Sequence, residues 1–286
     1  METTPAIEPP PSAWTQATRA PSPRLRAYIG QFDGYTQGAA TPQRILEVPF
    51  AGVPLVISFD SDYEIVNSSG RSERHQTFVA GMADSWVVVQ SAKQSTGLQV
   101  NFTPIGARMF LGVSMQSITN RTVELEDIFG RRSRDVVEQL QSAPDWAARF
   151  DLLEAMIGSR LDAAGPAPSP VVWAWNKMQA SSGNLSIGSL AGEMGYSHKH
   201  LITRFRDEFG LPPKTLARVV RFERAVRKIR KGSAAPNWLD LADDCGYFDQ
   251  AHLIRDFREF SGLTPIEFAA RQTDYGGVAA QSLDGR

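Results

Sequence analysis

Cysteine is nearly absent from this 286-residue chain, which holds Cys245 alone. A lone thiol excludes an internal disulfide and any metal site built from several cysteines. Cys245 precedes a turn glycine and reads as a small packing residue rather than a redox sensor. Histidine is scarce too, four in all, and His75 is the only one before His198. A centre of two or three imidazoles therefore cannot form in the N-terminal half. No run approaches the roughly 20 apolar residues of a membrane helix. The opening METTPAIEPPPSAW lacks the basic and apolar pattern of a signal peptide, so the chain is expected in the cytoplasm, away from membranes. A GxSxG elbow, a phosphate loop and a dinucleotide fingerprint are also missing, and Ser, His and Asp are scattered without a constellation. These absences argue against an enzyme, and no cofactor is expected.

What is present describes an ordinary globular protein: 42% hydrophobic and 21% charged residues, enough for about two domains. The net charge of −1 hides an asymmetry. Residues 170–286 hold 16 basic and 13 acidic residues, a net of +3, and residues 1–169 therefore carry −4. Within 196–231 there are 11 basic and three acidic residues, a net of +8. Concentrated positive charge is the main non-specific attraction to nucleic-acid phosphate. A solvated helix face does not require it.

The same region says one thing twice. LAGEMGYSHKHLITRFRDEFG begins at Leu190, and LADDCGYFDQAHLIRDFREFSG begins at Leu241. Gly195-Tyr196 matches Gly246-Tyr247, Leu201 and Phe205 match Leu253 and Phe257, and Pro213 matches Pro265, with one extra residue in the second turn. Two copies are too few for a solenoid. Each reads as a short helix (186–194 and 238–245), a glycine turn, and a second helix (197–209 and 249–260) capped by Ser197 or Asp249. On the first of those second helices, Leu201, Phe205 and Phe209 form a buried stripe, while Lys199, Thr203 and Arg206 face outward. On the other, Leu253 and Phe257 turn inward, and Gln250, Ala251, Arg255 and Arg258 turn outward. Arg and Gln reach guanine and adenine edges in bidentate geometry. Helix, tight turn, helix is the unit whose second member enters the major groove. Two ordinary helical hairpins with basic faces are the plainer alternative, which a shared register makes hard to sustain.

These two units, joined by a long basic helix over Pro213–Lys231, resemble the DNA-binding domain of AraC-type transcription regulators. GYFDQAHLIRDFREFSGLTP is similar to the signature of that family's second unit, and the resemblance spans roughly residues 170–272 with a leading helix over 171–180. The first recognition helix departs from the family, with Lys199, Ile202 and Thr203 at the base-reading positions. The resemblance implies double-stranded promoter or operator DNA as partner, a small-molecule effector or a homodimer as control, and RNA polymerase if the chain activates. From the outward faces of the two helices, the expected base-edge contacts are Arg255, Gln250 and Arg206. Lys199, Thr203, Arg204, Arg258 and Arg218 are phosphate or secondary contacts, with Arg218 and Arg221 alternatively holding the two units together. His252 suits either a helix start or a backbone phosphate.

The expected fold class is α+β with two domains. Residues 1–22, rich in Pro, Thr, Ser and Ala, are expected to be disordered, followed by a short helix through Leu25, Tyr28 and Ile29. Strands are predicted over 44–48, 53–59, 62–66, 76–80, 85–90 and 97–102, separated by turn residues, and read as a small barrel or sandwich. In the resembled family this place is held by a cupin-like sensor barrel, here 23–163 with its closing helices. Phe32, Tyr35, Phe59, Trp86 and Phe102, with Gln90 and Asn101, either fill that core or line a pocket. Helices are expected over 104–111, 126–129, 134–140 and 146–161, to pack on the strands or to make a dimer contact. AAGPAPSP supplies a Pro-rich linker at 164–170, the double helix-turn-helix follows over 171–272, and a frayed tail covers 273–286.

Overall fold

Alternation along strands builds the N-terminal half of the computed structural model, which describes residues 15–38, 43–92, 94–232, 236–273 and 277–280. The strands are β1 (Thr15–Arg19), β2 (Ile29–Gly38), β3 (Arg44–Glu47), β4 (Val53–Ser58), β5 (Tyr63–Asn67), β6 (Ser72–His75), β7 (Thr77–Ala80), β8 (Val87–Gln90), β9 (Gln94–Phe102) and β10 (Thr122–Glu124). They form a six-stranded sheet, β1-β2-β9-β4-β7-β10, and a four-stranded sheet, β3-β8-β5-β6, with antiparallel pairing throughout. Because side chains alternate with period two, Leu98, Val100 and Phe102 of β9 and Val53, Leu55 and Ile57 of β4 bury one face of the larger sheet beneath helices. Val56 points the other way, into a separate cluster with Tyr63, Ile65 and Phe78.

The α+β, two-part architecture matches the expectation, but the closed barrel does not. Among the described residues the two sheets share no hydrogen-bonded strand pair. Closure needs an unbroken ladder around the circumference, and this one breaks at Gln76, where the chain leaves β6 in the small sheet for β7 in the large one. Three other expectations are corrected. Residues 15–19 are not disordered but pair with β2, and Arg19 is fastened to Asp151 and Glu154. Leu25, Tyr28 and Ile29 make a hydrogen-bonded turn into β2, not a helix. Residues 277–280 are not frayed: Leu46 N–H donates to Val278 and Ala280 N–H to Arg44, so the segment covers the free edge of β3. Backbone ladders satisfied across the chain favour such edge covering. The rest of the expected N-terminus and tail, 1–14 and 281–286, lies outside the described residues.

Helices α1 (Pro104–Leu111), α2 (Leu125–Phe129), α3 (Arg132–Ser142) and α4 (Trp146–Ala164) lie on or beside the larger sheet, with a 3-10 turn at Met115–Ile118. Residues 165–168 then lead into α5 (Ser169–Ala180). The C-terminal half is helical: α6 (Ile187–Glu193), α7 (His198–Phe209), α8 (Pro213–Lys231), α9 (Trp238–Asp244), α10 (Gln250–Ser261) and α11 (Pro265–Ala270). Among the described residues no helix is long and apolar enough to cross a membrane.

The two halves meet at equivalent places in the repeat. Gly210 ends α7 and Gly262 ends α10, both with positive φ. Thr119, just after the 3-10 turn, donates its hydroxyl to Gly210 O at 2.9 Å. A Cβ on Gly210 would stand 2.7 Å from Thr119 Oγ1, and one on Gly262 would stand 2.9 Å from Trp86 Nε1. The N-terminal domain thus seats against the C-terminal ends of both helices through residues that have no room for a side chain. Gly210→Ala combines left-handed strain of about 1–2 kcal/mol with that collision. It should lower the thermal midpoint of the full chain more than Gly192→Ala, whose Cβ meets nothing within 4 Å.

Candidate nucleic-acid interface

Caps start each recognition helix where the sequence places them. Ser197 Oγ accepts from His200 N–H at 3.2 Å, and Asp249 Oδ1 accepts from His252 N–H at 2.6 Å. Each cap satisfies an amide that the helix leaves without an internal partner. The equivalence of the units extends to their rings: Tyr196 meets His200 edge-on, and Tyr247 meets His252 in the same way. His252 thus lies in the first turn of its helix, in contact with the turn tyrosine. Cys245 is buried, and burial pushes its thiol up, as suits a packing residue.

One face of each helix is dry. Leu201, Phe205 and Phe209 on α7, and Leu253, Phe257 and Phe260 on α10, are all buried. The opposite faces leave Lys199, Thr203 and Arg206, and Gln250, Ala251, Arg255 and Arg258, exposed. Among the described residues Lys199, Arg206, Arg255 and Arg258 make no ion pair, so their charges are available to a polyanion. Thr203 returns its hydroxyl to Lys199 O at 3.1 Å, and Arg255 Nε donates to Ala251 O at 3.3 Å. Both bonds lie along the helix surface and leave the side chains outside.

Two of the expected contact residues are tied into the protein. Arg204 pairs with Glu208 at 2.9 Å on its own helix. Arg218, on α8, reaches across to Asp256 at 2.7 Å and to Glu259, both on α10, and its guanidinium lies 4.8 Å from the Phe260 ring centroid. Hydrogen bonding from Glu259 outweighs the desolvation of Arg218 and raises its pKa further, so it stays charged. Arg221 donates to Gly246 O at 3.0 Å and covers the Tyr247 ring, fastening the second turn to α8. Sequence reasoning missed the acidic partners. The available signal was Asp256, an acid next to Phe257 and so close to the buried stripe.

The N-terminal aromatics divide similarly. Phe32 and Phe102 are core, and Tyr35 hydroxyl meets Tyr63 hydroxyl, which meets Ser95, between the sheets. Burial drives the Tyr35 pKa well up, so the phenol stays protonated. No group of three or more His, Cys, Asp or Glu that would hold a metal occurs among the described residues. Beneath the helices lies a cavity of about 360 Å³, lined by none of the seven residues singled out from the sequence.

Arg218→Met removes the main partner of Asp256, which is 1% exposed. Breaking a buried pair costs about 3–5 kcal/mol, and the low end applies because Arg218 is itself 24% exposed. Urea unfolding of the full chain should show that loss, and the Arg218→Met, Asp256→Asn double variant should recover part of it. Arg218 also holds the Glu259 carboxyl below its usual range. That contribution is full above the ordinary carboxylate pKa and is lost as pH falls through the depressed value. The wild-type chain should therefore lose its advantage over Arg218→Met as the solution is acidified.

A family model described as a helix-turn-helix domain matches residues 190–271, and one described as a domain of unknown function (DUF6597) matches residues 17–124. No curated protein matches. Solved structures that are similar in fold include ToxT from Vibrio cholerae O395, at 9% identity and a TM-score of 0.46, covering 86% of this chain and 98% of that one. Apo ToxT from strain SCE256 aligns at 11% identity and a TM-score of 0.48, over 88% of this chain and 99% of that one. The AraC-like transcriptional activator CuxR aligns at 10% identity and a TM-score of 0.26, over 67% and 80%. With two capped, basic-faced recognition helices bridged by α8 inside the matched segment, residues 190–271 form an AraC-type helix-turn-helix domain, and the chain is a DNA-binding transcription regulator.

Proposed function

We propose that the chain reads a specific promoter sequence with both recognition helices, which enter successive major-groove faces about 34 Å apart on one side of the duplex. The observation that carries this reading is the pair of equivalent helices whose outward Lys199, Arg206, Arg255 and Arg258 make no ion pair among the described residues. Arg255, Gln250 and Arg206 are the base-edge contacts, α10 being the more specific reader because α7 presents Lys199 and Thr203 instead. Lys199, Thr203 and Arg258 contact phosphate, which sets register without carrying sequence information. Arg204 and Arg218 act in the second rank, through the carboxylates they hold. The chain works by binding rather than by catalysis, in the cytoplasm, needs no cofactor, and is controlled through its N-terminal domain by a small molecule or by homodimerisation. Residues 23–163 are the sensing unit, 164–170 the linker and 171–272 the reader. RNA polymerase is the further partner if the chain activates.

Fluorescence anisotropy of the full chain on its own upstream DNA and on a scrambled duplex, at two salt concentrations, tests the reading. Tighter binding to the upstream DNA that survives the higher salt supports a specific reader. Arg255→Ala should weaken specific binding by about 1–3 kcal/mol and relax preference at one position. Equal losses on both duplexes would make Arg255 a backbone contact, and equal, steeply salt-dependent binding by the wild type would leave only a basic surface.

A further inference from the structure

The cavity of about 360 Å³ beneath the helices is within the range of small-molecule sites. It lies outside the space between the two sheets, where Val56, Tyr63, Ile65 and Phe78 already pack. Its floor is Leu55 and Ile57 of β4, and its walls come from Phe110 of α1, Phe129 of α2, Val136 of α3 and Ile157 of α4. Ser133 brings a hydroxyl, but that group already donates to Gly130 O at 2.8 Å. The walls therefore offer a ligand hydrocarbon contact and little hydrogen bonding.

Two guanidiniums also line the cavity, from Arg132 and Arg160. Arg160 donates to the carbonyls of Phe110 and Leu111 at the end of α1, and its guanidinium carbon lies 4.2 Å from the Phe129 ring centroid. Neither arginine makes an ion pair among the described residues. Burial and then the charge of Arg132 lower the Arg160 pKa, so the two like charges lie close enough to act on one another. Like charges held together over an apolar cavity are stabilised by an anion that both can reach.

We infer that this cavity binds a small molecule with an apolar body and a single carboxylate, the body against Leu55, Ile57 and Phe110 and the carboxylate between Arg132 and Arg160. This deepens the proposed control of the regulator by naming the class of effector, and its regulatory meaning rests on that reading. The position suits it. Phe110 faces the cavity from α1, and Arg108 on the same helix lies 3.8 Å from Asp207 and 3.7 Å from Glu208 on α7. One helix separates ligand from reader.

Isothermal titration of the full chain with decanoate, 1-decanol and decylamine, each below micelle formation, tests the assignment without DNA. Decanoate should bind saturably at one site, 1-decanol about tenfold more weakly or worse, the worth of one charge-assisted hydrogen bond, and decylamine not at all. Arg160→Met will disturb the α1 end as well, so Arg132→Gln is the cleaner variant. It should weaken decanoate by a similar factor, leave 1-decanol unchanged and keep the wild-type thermal midpoint. Equal affinity for decanoate and 1-decanol, indifference of decanoate to Arg132→Gln, or no saturable binding would overturn the assignment. Decanoate binding by a chain that does not discriminate between duplexes would sink the regulator reading and leave the site standing. Discrimination without decanoate binding would do the reverse.

Discussion

Phe222 and Arg218, one turn apart on α8, hold the second recognition helix from its inner side. Phe222 packs against Phe257 and Phe260 at 4.8 and 5.2 Å between ring centroids, and Arg218 grips Asp256 and Glu259 just beside them. The apolar contact supplies most of the net attachment, since burying a phenylalanine is worth about 1.5–3 kcal/mol, whereas a buried ion pair gains little net against its desolvation even though breaking it is costly. The ion pair supplies direction, because a planar guanidinium meets carboxylates in a narrow set of orientations. Everything that two helices can read jointly depends on this rigidity. Free basic residues on α7 and α10 are useful only if their separation is constant.

The same constraint explains where the N-terminal domain sits. It touches the reader at Gly210 and at Gly262, the two points where the recognition helices end, and α1 adds Arg108 against α7. Contacts at helix ends leave the outward faces of α7 and α10 uncovered. They also place the seam close to the cavity, with Phe110 and Arg108 on opposite duties of one short helix. The tail deepens the attachment from the other direction, since residues 277–280 run from the reader back to the edge of β3. A movement of the sheet-bound helices therefore has physical routes to both recognition units.

Legibility differed sharply between the halves. In the reader, local chemistry speaks for itself: Ser197 and Asp249 cap, Gly210 and Gly262 terminate, and Pro213 opens α8. Helix signals are short-range, and every one lies within a few residues of the feature that it sets. In the sheets, β6 and β10 escaped notice because four and three residues carry too little alternation, and Ser72–His75 has no apolar residue at all. β1 escaped because its burial is slight and its partners lie 13 to 21 positions further along the chain. Strand pairing is a long-range property, so a strand held by its neighbour leaves little trace in its own residues.

By itself, then, the sequence determined the repeated helix-turn-helix, its caps and its dry and basic faces, because each follows from residues close together in the chain. Only the tertiary structure decided the rest. It showed that Arg204 and Arg218 spend their charge internally, that the strands make two open sheets, and that the tail covers β3. It also brought Arg132 and Arg160, 28 positions apart by their numbers, to one cavity. The reason is the same in each case: a charge or an edge is satisfied by whatever the fold brings next to it, and that neighbour is set by packing across the whole chain.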